Sequence, residues 1–110
     1  MSALTRFELA ILSHIAERTP PLRPAIGHLR VARREFTGAG SYTYFEPTLP
    51  IPLVDGSVPL EALVSMPGVP HGMGAILSVA SGQASCLEIF TYGESSWYGD
   101  PEGFVIAPAA

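Results

Sequence analysis

The first segment of the chain has the apolar periodicity of a helix. Across residues 4–18, positions three and four apart form one apolar stripe: Phe7, Ala10, Ile11, His14 and Ile15. Thr5 and Glu8 match the T-x-x-E capping box, in which each side chain accepts the backbone N–H of the other residue. The pattern therefore predicts an amphipathic helix that ends at the prolines that follow it, and residues 22–29 predict a short second helix.

From residue 29 onward the pattern becomes that of strands. Residues 29–37 and 41–46 flank the turn Gly38-Ala39-Gly40 and predict a hairpin. Prolines recur in the next segment, at positions 47, 50, 52 and 59. They indicate an irregular or edge segment, because proline cannot donate to a sheet ladder. Residues 60–66 are predicted to form a further strand.

A second hairpin is predicted where residues 75–80 and 84–92 flank Ser81-Gly82. With a two-residue loop, Leu77 faces Cys86 and Ile76 faces Leu87. One face then carries Leu77, Val79, Cys86 and Phe90, and the other carries Ile76, Leu87 and Ile89. Because both faces are largely apolar, we expect the helix to cover one of them. A loop, the C-terminal segment or a second subunit is expected to cover the other.

These patterns predict a single α+β domain over residues 1–110: an N-terminal helix, possibly two, packed on an antiparallel sheet of four to five strands. A small chain with two apolar hairpin faces also predicts a homodimer. Proline and glycine interrupt the longest uncharged run, so no membrane helix is expected. Glu8 interrupts a secretory signal, and the single cysteine excludes an internal disulfide. We therefore expect a cytoplasmic protein.

Charge is unevenly distributed along the chain. Residues 1–34 hold all six basic residues, every one an arginine, against two glutamates, which gives a net charge of +4. Residues 35–110 hold eight carboxylates and no basic residue, which gives −8. The two halves either neutralise each other on folding or leave an acidic surface that attracts a basic partner. With no phosphate-binding loop in a chain of net charge −4, nucleic acid is an unlikely partner.

No catalytic, metal or cofactor motif is complete. HGMG at residues 71–74 is similar to an esterase oxyanion loop, but the G-x-S-x-G element that must accompany it is missing. Cys86 and Glu88 lie within a predicted strand, where a buried thiol and a partnered carboxylate are expected. Arg33 or Arg34 is expected to pair with Glu88 or with Glu35. We therefore predict no catalytic residue, no metal and no cofactor. The alternative is a small hydrolase or transferase that uses Cys86 or Glu88 with a histidine.

The C-terminal part mixes aromatic and acidic side chains, which is the composition of protein interfaces. We predict that six of these residues bind a partner: Tyr92, Glu94, Trp97, Tyr98, Asp100 and Glu102. The opposing expectation for Trp97 is that it closes one end of the core.

Four segments within residues 30–97 carry a resemblance: RREFTGAGSYTYFE, PHGMGAILSV, SGQASCLEIFTYG and the tryptophan that follows. Across these residues the chain resembles a loose group of small bacterial α+β proteins without an assigned activity. The resemblance implies a bacterial cytosolic protein and no particular catalytic residue. Together with the residues themselves, it favours a non-catalytic protein-binding module, in its concrete form an immunity- or antitoxin-like inhibitor of a basic partner.

Overall fold

The structure of the chain is a computed structural model that describes residues 3–47, 50–93 and 95–108. Two helices, α1 (Arg6–Arg18) and α2 (Arg23–Ile26), are joined by a 3-10 turn at Pro20–Leu22. Seven strands follow: β1 (Val31–Phe36), β2 (Gly40–Phe45), β3 (Gly56–Pro59), β4 (Ala62–Met66), β5 (Val69–Ala80), β6 (Gln83–Thr91) and β7 (Val105–Pro108). The predicted α+β class and antiparallel sheet are confirmed, and the sheet is larger than the four to five strands expected.

The long strand β5 organises the sheet. The strands run in the order β1-β2-β6-β5-β4-β7, and every pairing is antiparallel. β5 pairs with β6 along one edge. Along its other edge, the first half of β5 pairs with β4 and the second half pairs with β3. β5 begins at Val69 and not at Ala75 as predicted. The prediction starts too late because Pro70 and Gly72 are residue types that usually interrupt strands. β3 and β7, four residues each, were not predicted.

The core lies between α1 and one face of the sheet. The helix buries its apolar stripe, with Phe7, Ile11 and Ile15 each 2% exposed or less. Apolar side chains of β5 and β6 belong to the same buried cluster, among them Leu77, Leu87 and Ile89. Burying a large aliphatic side chain contributes about 1.5–3 kcal/mol, so this contact supplies most of the driving force for joining helix to sheet.

The hairpin of β5 and β6 contains a β-bulge that the sequence does not reveal. Its two turn residues, Ser81 and Gly82, have positive φ values of 53° and 71°, which suits a two-residue hairpin loop. Val79 pairs with Ala84 but Ser78 pairs with Cys86, so Ser85 is the extra residue. The Ser85 hydroxyl donates to the Ser78 carbonyl at 3.1 Å.

The bulge changes which side chains share a face. Leu77 lies opposite Leu87, and the predicted pairing of Leu77 with Cys86 is wrong. A register shift of one residue sends each side chain of a strand to the other face. As a result Leu77 and Leu87 meet under α1, while Cys86 and Glu88 lie on the opposite side of the sheet.

A buried carboxylate links the helix start to the sheet. Glu8 is 3% exposed and completes the predicted capping box: its Oε1 accepts the Thr5 N–H at 2.8 Å, and its own N–H donates to Thr5 Oγ1 at 3.1 Å. Arg34 of β1 donates to both carboxylate oxygens, at 2.6 and 2.8 Å, and the Thr43 hydroxyl of β2 donates at 2.6 Å. The Arg34 side chain also donates to the Ala3 carbonyl at 2.8 Å. We call Glu8, Arg34, Thr43 and Thr5 the Glu8 network.

The Glu8 network makes a buried charge tolerable. Burial alone would raise the pKa of Glu8, but the hydrogen bonds from Arg34, Thr43 and Thr5, together with the charge of Arg34, bring it below its ordinary value. The same contact raises the pKa of Arg34. Both groups therefore stay charged at neutral pH.

Replacing Glu8 by alanine leaves the Arg34 charge and the Thr43 hydroxyl without their acceptor. Because Arg34 keeps partial access to water, we expect the free energy of unfolding to fall by about 2–3 kcal/mol, less than the roughly 3–5 kcal/mol lost when a fully buried pair is broken. Urea denaturation at neutral pH measures the change. Glu17→Ala on the same helix, at a side chain 58% exposed, is the matched control, and we expect it to change stability by less than about 0.5 kcal/mol. Equal effects of the two substitutions would contradict a stabilising Glu8 network.

The lowered pKa of Glu8 also predicts a pH dependence. A carboxyl whose folded-state pKa is depressed stabilises the fold fully above its unfolded pKa, about 4.3, and loses that contribution as the pH falls through the folded value. We expect the stability difference between the native protein and Glu8→Gln to be constant above that range and to shrink below it. Unfolding free energies measured across the acid range check this. A difference that grows on acidification would contradict the assignment.

Candidate functional site

The sheet face opposite α1 is uncovered in the described part of the chain. On β2, β5 and β6, side chains facing α1 are buried, while the residues alternating with them are partly exposed. We call this second surface the open face; its central residues are Arg33, Glu35, Tyr42, Tyr44, Ile76, Ser78, Cys86, Glu88 and Phe90. Further exposed apolar side chains extend it over β4 and β7, with Leu63 48% and Val105 59% exposed. An uncovered sheet face with this many apolar and aromatic residues is a candidate interaction surface.

Strand register arranges the open face in two parallel rows. The first row crosses β1, β2, β6 and β5 and consists of neighbouring register partners: Arg33, Tyr44, Cys86 and Ser78. The second row crosses the same strands in the same order: Glu35, Tyr42, Glu88 and Ile76. Since each residue of the second row is two positions from its counterpart in the first, the rows lie about 7 Å apart. We call them the Arg33 row and the Glu35 row.

Contacts within the rows hold several of these side chains in place. The Arg33 guanidinium lies 4.0 Å from the centre of the Tyr44 ring, and its Nη1 donates to Glu35 Oε1 at 2.5 Å. The Tyr42 and Tyr44 rings stack with centroids 6.3 Å apart. The Tyr42 hydroxyl donates to Glu88 at 3.4 Å. Of the two partners expected for Arg33 or Arg34, Glu35 is confirmed, because it pairs with Arg33. Within the described residues, Glu88 is not paired with an arginine, because Arg34 binds Glu8.

Phe90 extends the aromatic part of the open face past the Glu35 row. It lies between Gly40 and Gly74 in the register, and a Cβ at Gly74 would come 2.9 Å from Phe90 Cζ and 2.5 Å from the Tyr92 hydroxyl. Phe90 and Tyr92 pack edge to face with centroids 5.5 Å apart. Glycine at position 74 therefore makes room for this aromatic pair.

A shallow groove borders the open face where β5 is irregular. Val69 pairs with Met66 and Met73 with Val64, so residues 70–72 form a bulge, with Gly72 at a φ of 76°. The groove has a volume of about 430 Å³ and is lined by residues that include Leu63, Ser65, Pro70, His71 and Gly103. The HGMG segment thus lies inside β5 at the bulge, and His71 is exposed there.

The surroundings of Cys86 do not resemble those of a nucleophile. Cys86 pairs with Ser78, seven residues along β5 from His71, a separation of about 20 Å at strand spacing. His14 belongs to α1, on the other side of the sheet. Burial first, and then the negative charge of Glu88, raise the pKa of Cys86 above its ordinary value. A reactive cysteine needs a lowered pKa, so the surroundings of Cys86 differ from those of a reactive thiol.

The six predicted partner-binding residues fall in different places. Trp97 is only 7% exposed: its ring packs against Phe7 and Phe36, with centroids 5.9 and 6.4 Å away, and its Nε1 donates to the Asp100 carbonyl at 2.9 Å. An exposed anchor role therefore does not hold for Trp97, which closes one end of the core. Tyr92 lies beside Phe90 at the margin of the open face. Glu94 lies outside the described residues.

The remaining three residues share one loop at the surface. Tyr98 is 82% exposed, and the Asp100 carboxylate accepts the Glu102 N–H at 3.1 Å. We call residues 95–104 the Tyr98 loop. Among the described residues, arginine forms ion pairs at Arg18, Arg33 and Arg34, with Glu61, Glu35 and Glu8 respectively. The pairs with Glu61 and Glu35 neutralise part of the acidic half, whereas the pair with Glu8 lies within the basic half. None of the three pairs involves the Tyr98 loop.

Comparisons with known proteins add no assignment: no family model matches the chain, and no match was found among curated proteins or among solved structures. In the part of the chain that the structure describes, no group of three or more histidine, cysteine or acidic side chains is placed to hold a metal ion. The same residues contain no helix with the length and apolarity needed to cross a bilayer.

The raised pKa of Cys86 predicts slow alkylation. We expect the midpoint of its iodoacetamide reaction to lie above the ordinary cysteine value, about 8.5, because the thiol is partly desolvated and lies near Glu88. Glu88→Gln removes the second cause and should move the midpoint down. Reaction rates across the alkaline range measure both. A native midpoint below the ordinary value would instead support the enzyme alternative.

Proposed function

We propose that this protein is a non-catalytic protein-binding module of the cytoplasm, that its binding surface is the open face, and that it associates with itself as a homodimer. The observation that carries the proposal is an aromatic sheet face that the described residues leave uncovered. Tyr, Phe and Arg side chains are the types that contribute most to protein interfaces, and all three occur there.

The internal pairing of the open face suits it for binding. Arg33 and Glu35 neutralise each other, and the Tyr44 ring covers the guanidinium. The stacked Tyr42 and Tyr44 rings are already held in one arrangement, so little side-chain entropy is lost on association. The face therefore offers mostly apolar and aromatic area at a low desolvation cost.

A second candidate function rests on the Tyr98 loop. Its exposed tyrosine beside Asp100 and Glu102 favours a basic protein partner. In its concrete form, the chain is then an immunity- or antitoxin-like inhibitor of that partner. Buried Trp97 contributes to this surface only by holding the loop, through its hydrogen bond to Asp100. Tyr98→Ala should weaken such a partner without changing stability, and association should slow as salt rises.

Substituting Ile76 tests the open face directly. Ile76→Glu places a charge in the middle of the Glu35 row, and we expect the immobilised variant to lose the protein that the native protein captures from its own cell lysate. A charge that must be desolvated at the centre of an interface lowers affinity by about tenfold or more.

Leu9→Glu is the matched control, because Leu9 is an apolar residue 45% exposed on the outer side of α1. It should retain every captured protein. The proposal is contradicted if Ile76→Glu retains the same proteins as Leu9→Glu and the native chain. It is also contradicted if Tyr98→Ala loses the captured protein and Ile76→Glu does not.

A further inference from the structure

We infer that the open face binds a second copy of this chain through a twofold axis that crosses the strands midway between the Arg33 row and the Glu35 row. The inference rests on the proposed function and names the occupant and the arrangement. It follows from the order of side chains in the two rows, which are complementary to each other.

In this arrangement the two open faces oppose each other, and the twofold axis lies between them, parallel to the rows. The Arg33 row of one copy lies over the Glu35 row of the second copy. Arg33 then faces Glu35 of the second copy at one end. Near the centre, Tyr44 faces Tyr42 of the second copy, and Cys86 faces Glu88. Every charged side chain of the rows thereby meets an opposite charge or a hydrogen-bond donor.

Another orientation of the axis lacks this match. An axis parallel to β2 and lying over it would place β1 over β6 of the second copy. Because Glu35 and Glu88 belong to the same row, two carboxylates would then face each other. Like charges opposed at an interface oppose association, so the register favours the axis that crosses the strands over one that lies along β2.

The chemistry at the centre is consistent with burial. The raised pKa of Cys86 keeps the thiol protonated, so it can donate to a carboxylate. Glu88 already accepts the Tyr42 hydroxyl, and the thiol of the second copy supplies a further donor. Two donors lower the cost of burying the Glu88 carboxylate in the interface.

The size of the open face matches that of an ordinary interface. Six strands spaced about 4.8 Å apart give a width of about 24 Å, and the nine residues of β6 give a length of about 30 Å. The product, about 700 Å², is close to the roughly 800 Å² that each partner contributes to a standard interface. Two such faces would pack about 10 Å apart, as sheets do in a sandwich.

Two charge variants test the arrangement together. Arg33→Glu gives each copy two acidic side chains at positions 33 and 35, and Glu35→Arg gives each copy two arginines. By sedimentation equilibrium across the micromolar range, the native chain should be a dimer, and each variant alone should dissociate about tenfold more readily or worse. An equimolar mixture should recover dimers, because opposite charges then face each other across the axis. Both side chains are at least half exposed in the single chain, so circular dichroism should show an unchanged fold.

Protection of Cys86 gives an independent readout. The chain has one cysteine, so its alkylation rate should fall as the native protein is concentrated, and it should not fall for Arg33→Glu. A native chain that stays monomeric overturns the inference, and so does a mixture no more dimeric than either variant. A monomer that still captures a protein in an Ile76-dependent manner would overturn self-association but leave the open face standing as the binding surface for a different protein.

Discussion

One buried carboxylate determines how the helix is placed on the sheet. Glu8 receives hydrogen bonds from the backbone of Thr5 and from the side chains of Arg34 and Thr43, which lie on different elements. A charge at 3% exposure is tolerable only with donors of this number and quality. The contact fixes where α1 begins and which side of β1 and β2 it covers. By deciding the covered side of the sheet, Glu8 also defines the open face.

Local signals predicted the parts of the fold that neighbouring residues determine. The capping box of Thr5 and Glu8 needs only a three-residue spacing, and it is present. The sequence SYTYF misleads, because polar Thr43 is buried and aromatic Tyr42 and Tyr44 are on the open side. The reason is the Thr43 bond to Glu8, a partner 35 residues earlier in the chain. The bulge at Ser85 was equally hidden, because an extra residue leaves no mark on the alternation itself.

The candidate site was out of reach of sequence reasoning for the same reason. Composition pointed to Trp97 and the acids near it, yet the tryptophan fills space between Phe7 and Phe36. The central residues of the open face come from four strands, and the bulge at Ser85 sets the register between β5 and β6. Their pairing places a thiol beside a carboxylate and an arginine on a tyrosine ring. That arrangement raises the pKa of the thiol and places the Arg33 charge over the Tyr44 ring.

Nuclear magnetic resonance of the native chain over a range of concentrations tests the central claim most directly. If the open face is the binding surface, signals of Tyr42, Tyr44, Ile76 and Cys86 shift or broaden as the concentration rises, while those of α1 stay fixed. Shifts confined to α1 or to the Tyr98 loop, or no shift at any residue of the two rows, would contradict the account.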